Sequence, residues 1–234
     1  PKPGSDAAVS PTAPDASTNG DAGETDSGTT DVTAVITNET IQVGARTRSY
    51  VLSVPSNYDQ ARSYPLVFIL HGDGGSGKQM RTATKFDQTT KGDAILAYPD
   101  GENQTWDLET PTASNKDIAF FEALTSALRT RFTLDDKRVF MWGWSNGAFF
   151  ANQFACRKPG FLRAIAAQSG GAPYSTAQNP MGQYPNGYVK CVPDQSATPA
   201  IVFHGKKDGS VTFDSGQFSA EYWRYVNGCQ ATQT

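Results

Sequence analysis

The feature that most constrains this chain is a Gly-Trp-Ser-Asn-Gly turn at residues 143–147, placed between two apolar segments. Residues 138–142 favour a buried strand and residues 148–155 favour a helix. In a G-x-S-x-G turn of this kind the serine is strained and the strand and helix nearly touch, an approach that only glycine permits. The pattern therefore predicts that Ser145 is a nucleophile. An ordinary tight turn is the alternative, because the chain has 22 glycines.

Residues 1–31 differ in composition from the rest of the chain. They are mostly Pro, Gly, Ser, Thr, Ala and Asp, and one lysine stands against six acidic residues, a net charge of −5. Such a segment buries too little apolar surface to fold, so we expect a disordered acidic linker. The net charge of the whole chain is −3, so residues 32–234, the expected catalytic domain, carry a net charge of +2. They have no basic stripe that would bind nucleic acid.

The composition also bears on localisation. No apolar run approaches the roughly 18 residues of a membrane span, and the chain begins Pro-Lys-Pro-Gly rather than with a signal peptide. A tether rich in Ser, Thr and Pro before a catalytic domain is typical of exported proteins. We therefore expect a secreted protein whose leader or lipid anchor has been removed. An intracellular protein with an irregular N-terminus is the alternative.

The three cysteines are compatible with a secreted protein and with an intracellular one. Cys156 ends the helix after the turn, and Cys191 lies in an irregular segment before residues 200–204. In an exported protein these two could form a disulfide, whereas two buried free thiols are the other interpretation. Cys229, near the C-terminus, is left over in both cases.

The apolar runs alternate in the order of an α/β sheet. Those at 66–70, 138–142 and 200–203 are continuously apolar, which indicates strands buried on both faces. Predicted strands are 38–43, 48–54, 66–71, 94–98, 138–142, 164–168 and 200–204, and predicted helices are 78–90, 115–131, 147–156 and 214–227, with Asn115 as a possible cap. Two hairpin-like strands followed by β-α repeats predict an α/β fold.

A glycine-rich loop, residues 71–77, follows the predicted strand at 66–71. A backbone amide of Gly72 or Asp73 in this loop could form an oxyanion hole together with the N–H of Asn146. A phosphate-binding loop is disfavoured because Lys78 lies at the wrong spacing.

Two other strand ends carry candidate site residues, as expected for an open α/β sheet. Asp208 follows the predicted strand at 200–204 and comes after Ser145, which is the hydrolase order of nucleophile and acid. A solvated loop aspartate is its alternative. Trp106 follows the strand at 94–98 and either forms an aromatic platform beside the cleft or anchors a long loop.

Six segments together resemble the secreted esterase family of feruloyl esterases, acetylxylan esterases and polyhydroxybutyrate depolymerases. They are the His71-Gly72 loop, Tyr98-Pro99-Asp100 with Trp106, Val139 to Gly147, Ala155 to Pro159, His204-Gly205-x-x-Asp208, and Trp223 to Cys229. The resemblance covers roughly residues 38–230. It implies an α/β-hydrolase fold, a three-layer sandwich with a mostly parallel central sheet. It also implies ester hydrolysis with Ser145 as nucleophile and Asp208 as triad acid, and a disulfide between Cys156 and Cys191.

The resemblance implies an ester substrate, in the first place a feruloyl or acetyl ester of plant cell-wall polysaccharide. The Gly-Trp-Ser start of the turn is shared with polyester hydrolases, so a polyester depolymerase is an alternative. Trp106, Trp144 and His71 are the candidate substrate contacts. We expect a monomer with no metal and no cofactor. A carbohydrate-binding homologue without activity and a serine peptidase of the same fold are the rivals from other classes.

The chain departs from this family at the catalytic base. A Ser-His-Asp triad needs an imidazole after the acid, but the only histidines are His71 and His204. Family members carry a final strand, a histidine loop and a terminal helix beyond the Asn-Gly-Cys segment. We therefore expect this part, with the partner of Cys229, to be missing from residues 1–234, and the chain as given to be nearly inactive. His71 as the base and a natural pseudoenzyme are the alternatives.

Overall fold

Strands and helices alternate along residues 33–230, the part of the chain that the computed structural model describes. The strands are β1 (Ala34–Val43), β2 (Arg46–Pro55), β3 (Tyr64–Leu70), β4 (Ile95–Pro99), β5 (Leu134–Trp144), β6 (Ala164–Gln168), β7 (Gly182–Gln183), β8 (Val189–Lys190) and β9 (Ala200–Phe203). The α-helices are α1 (Gly77–Thr84), α2 (Phe86–Thr89), α3 (Lys116–Arg131), α4 (Asn146–Arg157) and α5 (Phe213–Val226). Glu102–Gln104 and Thr112–Ser114 are short 3-10 helices. The expected linker at residues 1–31 lies outside the described residues, and a catalytic domain at 32–234 stays a prediction.

Seven strands form one sheet in the order β1-β2-β4-β3-β5-β6-β9. The pairs β1–β2 and β2–β4 are antiparallel, and the four remaining pairs are parallel. The expectation of a mostly parallel α/β sheet that begins with a hairpin is confirmed. Strands β7 and β8 form a separate antiparallel hairpin, which the sequence did not predict.

Helices cover both faces of the sheet. Successive side chains of a strand point to opposite faces, so a strand that is apolar throughout needs a covering layer on each face. Leu66 and Phe68 of β3 belong to the large core that packs on α3, α4 and α5. Val67 and Ile69 of the same strand belong to a smaller core that includes Met80 of α1. The described chain therefore has three layers, with the sheet in the middle.

Two local features show how side chains and backbone set helix ends. Asn115 caps α3 as predicted, because its Oδ1 accepts hydrogen bonds from the N–H groups of Asp117 (3.0 Å) and Ile118 (2.9 Å). The predicted helix at 78–90 is divided between α1 and α2. Lys85 adopts the left-handed conformation (φ 50°) and its N–H bonds to the carbonyl of Arg81, which ends α1.

A disulfide joins Cys156, in the last turn of α4, to Cys191, which follows β8. The pairing implied by the family resemblance is confirmed. It fastens the β7–β8 segment to the helix that follows the Gly143–Gly147 turn. Cys229 is exposed and forms no disulfide within residues 33–230.

Removing this disulfide is expected to destabilise the protein. The two cysteines are 35 residues apart, and closing a loop of that size stabilises a fold by about 2–4 kcal/mol. The double variant Cys156→Ala/Cys191→Ala should lose stability of this order in urea unfolding followed by circular dichroism. Cys229→Ala is the matched control and should leave the unfolding midpoint unchanged. An unchanged midpoint in the double variant would contradict the prediction.

Candidate active site

Ser145 lies at the junction of β5 and α4 in a backbone conformation that is rare for a residue with a side chain. Its φ and ψ are 53° and −121°. Its N–H donates to the carbonyl of Gln168 at the end of β6 (2.9 Å), and its own carbonyl accepts from the N–H of Ala148 (2.8 Å). The strain is thus held in place by hydrogen bonds on both sides, as expected of a nucleophile at a strand-to-helix turn.

The two glycines of the turn lie where no side chain fits. A Cβ on Gly143 would be 2.2 Å from the carbonyl oxygen of Gly147. A Cβ on Gly147 would be 2.5 Å from the carbonyl oxygen of His71, which follows β3. The close approach predicted from the sequence therefore involves three elements: β5, α4 and the loop after β3.

The predicted oxyanion loop lies against Ser145, since a Cβ on Gly72 would be 3.1 Å from the Ser145 Cβ. In this loop the N–H of Gly74 already donates to the carbonyl of Gln104 (2.8 Å). Within residues 33–230, no acceptor is found for the N–H of Gly72, of Asp73 or of Asn146, the first residue of α4. These three amides therefore have no acceptor that competes with a substrate oxygen, whereas the Gly74 amide has one.

His71 lies behind the oxyanion loop, and only 1% of its surface is exposed. Its Nδ1 lies 2.7 Å from the carbonyl oxygen of Gly72, and its Nε2 accepts a hydrogen bond from the N–H of Gly101 (2.9 Å). Burial lowers the pKa of the ring. Because both ring nitrogens are engaged, the structure supports neither His71 as the base nor its ring as a substrate contact.

Trp106 is also buried, with 3% of its surface exposed. Its indole N–H donates to the carbonyl of His71 (2.8 Å), and its ring packs near Phe121 and Phe150 of the core. The ring therefore presents no face to a sugar or an acyl group. Of the two interpretations drawn from the sequence, the structure supports the loop anchor and not the substrate platform.

The Asn146 side chain has a role that sequence reasoning missed. Its Oδ1 accepts from the N–H of Trp106 (2.8 Å) and lies 3.4 Å from the hydroxyl of Thr105. The side chain thus fixes the loop after β4 to the start of α4. An asparagine inside a G-x-S-x-G turn gives no signal of this contact, because the partner is distant in sequence.

Asp208 lies in the turn after β9, at the same edge of the sheet as Ser145. Its Oδ1 accepts from the N–H groups of Ser210 (2.9 Å) and Val211 (3.0 Å), and these bonds lower the pKa of the carboxyl group. The strands leading to both residues are joined, since β6 pairs with β5 and with β9. The carboxylate is therefore ionised and oriented by its own loop.

His204 is held under α5 rather than beside Ser145. Its Nε2 lies 2.8 Å from the carbonyl oxygen of Val211, and its ring packs so closely on Gly216 that a Cβ there would be 2.4 Å from Nδ1. Its Nε2 is 3.7 Å from Asp208 Oδ2, beyond hydrogen-bonding distance. A histidine so enclosed is not placed to take a proton from the nucleophile.

Comparison with known proteins identifies the family of the chain. The family model described as "Putative esterase" matches residues 43–224. The chain belongs to this esterase family. It is 28% identical over 191 residues to the probable feruloyl esterase C of Aspergillus oryzae, which covers 79% of the chain and 64% of that protein. It is 27% identical over 203 residues to feruloyl esterase C of Emericella nidulans, covering 84% of the chain and 67% of that protein.

Among solved structures, an acetyl xylan esterase from Aspergillus awamori superposes with a TM-score of 0.68 at 17% identity, over 83% of the chain and 80% of that structure. This likeness shows the fold, which is the α/β-hydrolase fold expected from the sequence. The chain spans 64% of the length of the first curated relative.

In this esterase-family chain an open groove of about 550 Å³ begins beside the nucleophile turn. Gly72 and Trp144 line it next to Ser145, and Met80, Phe86 and Trp142 line it further along. Trp144 is 46% exposed. Of the three predicted substrate contacts it is thus the one whose ring is open to solvent. No group of three or more His, Cys, Asp or Glu side chains in the described residues could hold a metal ion.

The backbone contact at the turn can be tested with glycine substitutions. Gly143→Ala and Gly147→Ala place a Cβ within 2.5 Å of a carbonyl oxygen, so each should cost about 3 kcal/mol or more of unfolding free energy. Gly182→Ala is the control, because its Cβ would lie 3.6 Å from the nearest atom. Urea unfolding measures all three. Wild-type stability in Gly143→Ala would show that β5 and α4 are not in contact.

Proposed function

We propose that this protein is a serine esterase that cleaves carboxylic esters through an acyl-enzyme intermediate. The observation that carries the proposal is the strained Ser145, which lies beside the backbone amides of Gly72, Asp73 and Asn146, none of which has an acceptor in the described chain. Family membership supports the same chemistry.

The proposed reaction uses the groups already described. Ser145 attacks the ester carbonyl, and the N–H groups of Asn146 and Asp73 stabilise the negative oxygen of the tetrahedral intermediate. The N-terminus of α4 adds a favourable dipole at the same point. The alcohol leaves, and water then hydrolyses the acyl-enzyme. Asp208 orients and stabilises the imidazolium that forms when the base takes the Ser145 proton.

We further propose that the base is a histidine outside residues 1–234. His71 and His204 are both enclosed and both bonded to backbone groups. One oxygen of Asp208, Oδ1, receives two backbone bonds, the Ser169 hydroxyl is a further neighbour that lowers the pKa of the carboxyl group, and Oδ2 lies 3.7 Å from His204 Nε2. We propose that Oδ2 accepts a hydrogen bond from the imidazole N–H of this base.

The sheet offers a place for the segment that would carry this histidine. Strand β9 is the last strand of the sheet, and Ile201 and Phe203 on its α1-facing side are 59% and 49% exposed. A further strand beside β9 and a helix over these side chains, as expected from the family resemblance, would pair the edge and cover the apolar surface. The strand would end next to Asp208.

As substrate we propose a feruloyl or acetyl ester of plant cell-wall polysaccharide. The named relatives are feruloyl esterases, and a structure with the same fold is an acetyl xylan esterase. Trp144, which lies beside Ser145 and is open to solvent, is the proposed aromatic contact. The disulfide between Cys156 and Cys191 supports secretion, since disulfides persist in oxidising compartments.

The nucleophile is tested in the product of the whole coding sequence with methyl ferulate, an aryl acetate and a polyhydroxybutyrate suspension. Ser145→Ala should lower kcat by about 10⁴-fold or more, and Asp208→Asn by about 10³–10⁴-fold, because both remove a triad member. Ser114→Ala, an exposed serine, should retain full activity. Activity that survives Ser145→Ala would contradict the proposal. Preference for the polymer over methyl ferulate would favour a polyester depolymerase.

The source of the base is tested by comparing that product with residues 1–234 alone. The shorter chain should retain only the catalysis of an oxyanion hole without a triad, about 10³–10⁴-fold over water. Equal and robust turnover by both proteins would show that residues 1–234 contain their own base.

A further inference from the structure

The peptide unit between Gly72 and Asp73 is held firmly on one side. Its carbonyl oxygen, that of Gly72, accepts a hydrogen bond from the N–H of Gly75 (3.1 Å) and lies 2.7 Å from Nδ1 of His71. The described chain has no cis peptide bonds, and in a trans peptide the C=O and N–H point in opposite directions. The direction of the Gly72 carbonyl therefore fixes the direction of the Asp73 N–H.

The protonation of the His71 ring follows from its partners. Nε2 faces the N–H of Gly101, which can only donate, so Nε2 must carry the lone pair. The proton of the neutral ring is then on Nδ1, where it can bond to the Gly72 carbonyl. Burial in contact with Trp106 lowers the pKa of His71, which keeps the ring neutral.

We propose that His71 is a positioning residue: its Nδ1–H locks the Gly72–Asp73 peptide so that the Asp73 N–H is presented to the substrate oxyanion beside Ser145. If the peptide turned over, it would direct the carbonyl of Gly72 toward the oxyanion, where it would repel the developing charge. The inference rests on the proposed esterase function and adds to it a residue that touches neither substrate nor nucleophile.

Two substitutions separate the two bonds of the ring. In His71→Asn the amide nitrogen can take the position of Nδ1, so the bond to Gly72 is kept and the bond to Gly101 is lost. In His71→Gln the longer side chain reaches the position of Nε2, so its oxygen can accept from Gly101 while the bond to Gly72 is lost. Each variant therefore loses one buried hydrogen bond, and both unfolding midpoints should fall by similar amounts.

The kinetic test uses these variants of the product of the whole coding sequence. His71→Gln should lower kcat by about 10²-fold with little change in KM, whereas His71→Asn should stay within about threefold of wild type. Equal losses in the two variants, or losses that follow the unfolding midpoints, would overturn the proposal, because they would mean that the ring only supports the loop.

A second measurement does not depend on activity. Nitrogen-15 NMR of residues 1–234, which contain two histidines, gives the tautomer of each ring, and the His71→Asn spectrum identifies the signals of His71. The proposal requires a neutral ring protonated on Nδ1 at pH 7. A ring protonated on Nε2 would overturn it. If the wild-type protein cleaves no ester, the proposed function fails, but the tautomer still decides whether His71 holds the peptide.

Discussion

The rest of the site depends on a backbone contact among three elements, at which side chains are excluded. Strand β5 meets the first turn of α4 through Gly143 and Gly147, and Gly147 in turn meets the carbonyl of His71 after β3. This contact brings Gly72 of the proposed oxyanion loop against Ser145, the proposed nucleophile: a Cβ on Gly72 would lie 3.1 Å from the Ser145 Cβ. The strain at Ser145 is tolerated because hydrogen bonds to β6 and within α4 leave its backbone no alternative.

A second set of interactions holds the loop after β4 against this contact. His71 bonds to Gly101, Gln104 receives the N–H of Gly74, and Asn146 receives the N–H of Trp106. The buried ion pair of Arg48 and Asp117 also binds the loop after β4. Arg48 donates to the carbonyl of Asp100 (2.9 Å), and Asp117 accepts from the N–H of Asp107 (2.7 Å). Consequently the loop at residues 71–77 is supported by the neighbouring loop after β4 as well as by its internal bond from Gly75 to Gly72.

The parts that could be predicted from sequence are those set by local patterns. Continuous apolar runs identified the strands β3, β5 and β9, and two glycines with a serine between them identified the strained turn. The expectation that the run at 200–203 is buried on both faces is wrong, because β9 lies at the sheet edge and Ile201 and Phe203 are exposed in the described chain. The parts that could not be predicted depend on partners distant in the chain. The sequence around Trp106 is the same whether the ring faces a cleft or the core. The contact that fixes this residue is the hydrogen bond from its backbone N–H to Asn146, which lies far from it in the chain. The break at Lys85 also has no local signal, since neither glycine nor proline marks it.

The groove beside the site illustrates how substrate and fold compete for the same apolar surface. Trp142 and Trp144 point to the same face of β5, and strand geometry places Trp142 about 7 Å further from the turn. With Met80, Phe86 and Phe203 it forms an apolar strip along the sheet. An apolar strip of this kind suits either an extended apolar part of a substrate or the helix that we propose to cover the sheet edge beside β9. If that helix is present, it would cover the part of the groove around Trp142, and the end between Gly72 and Trp144 would be left for an acyl group.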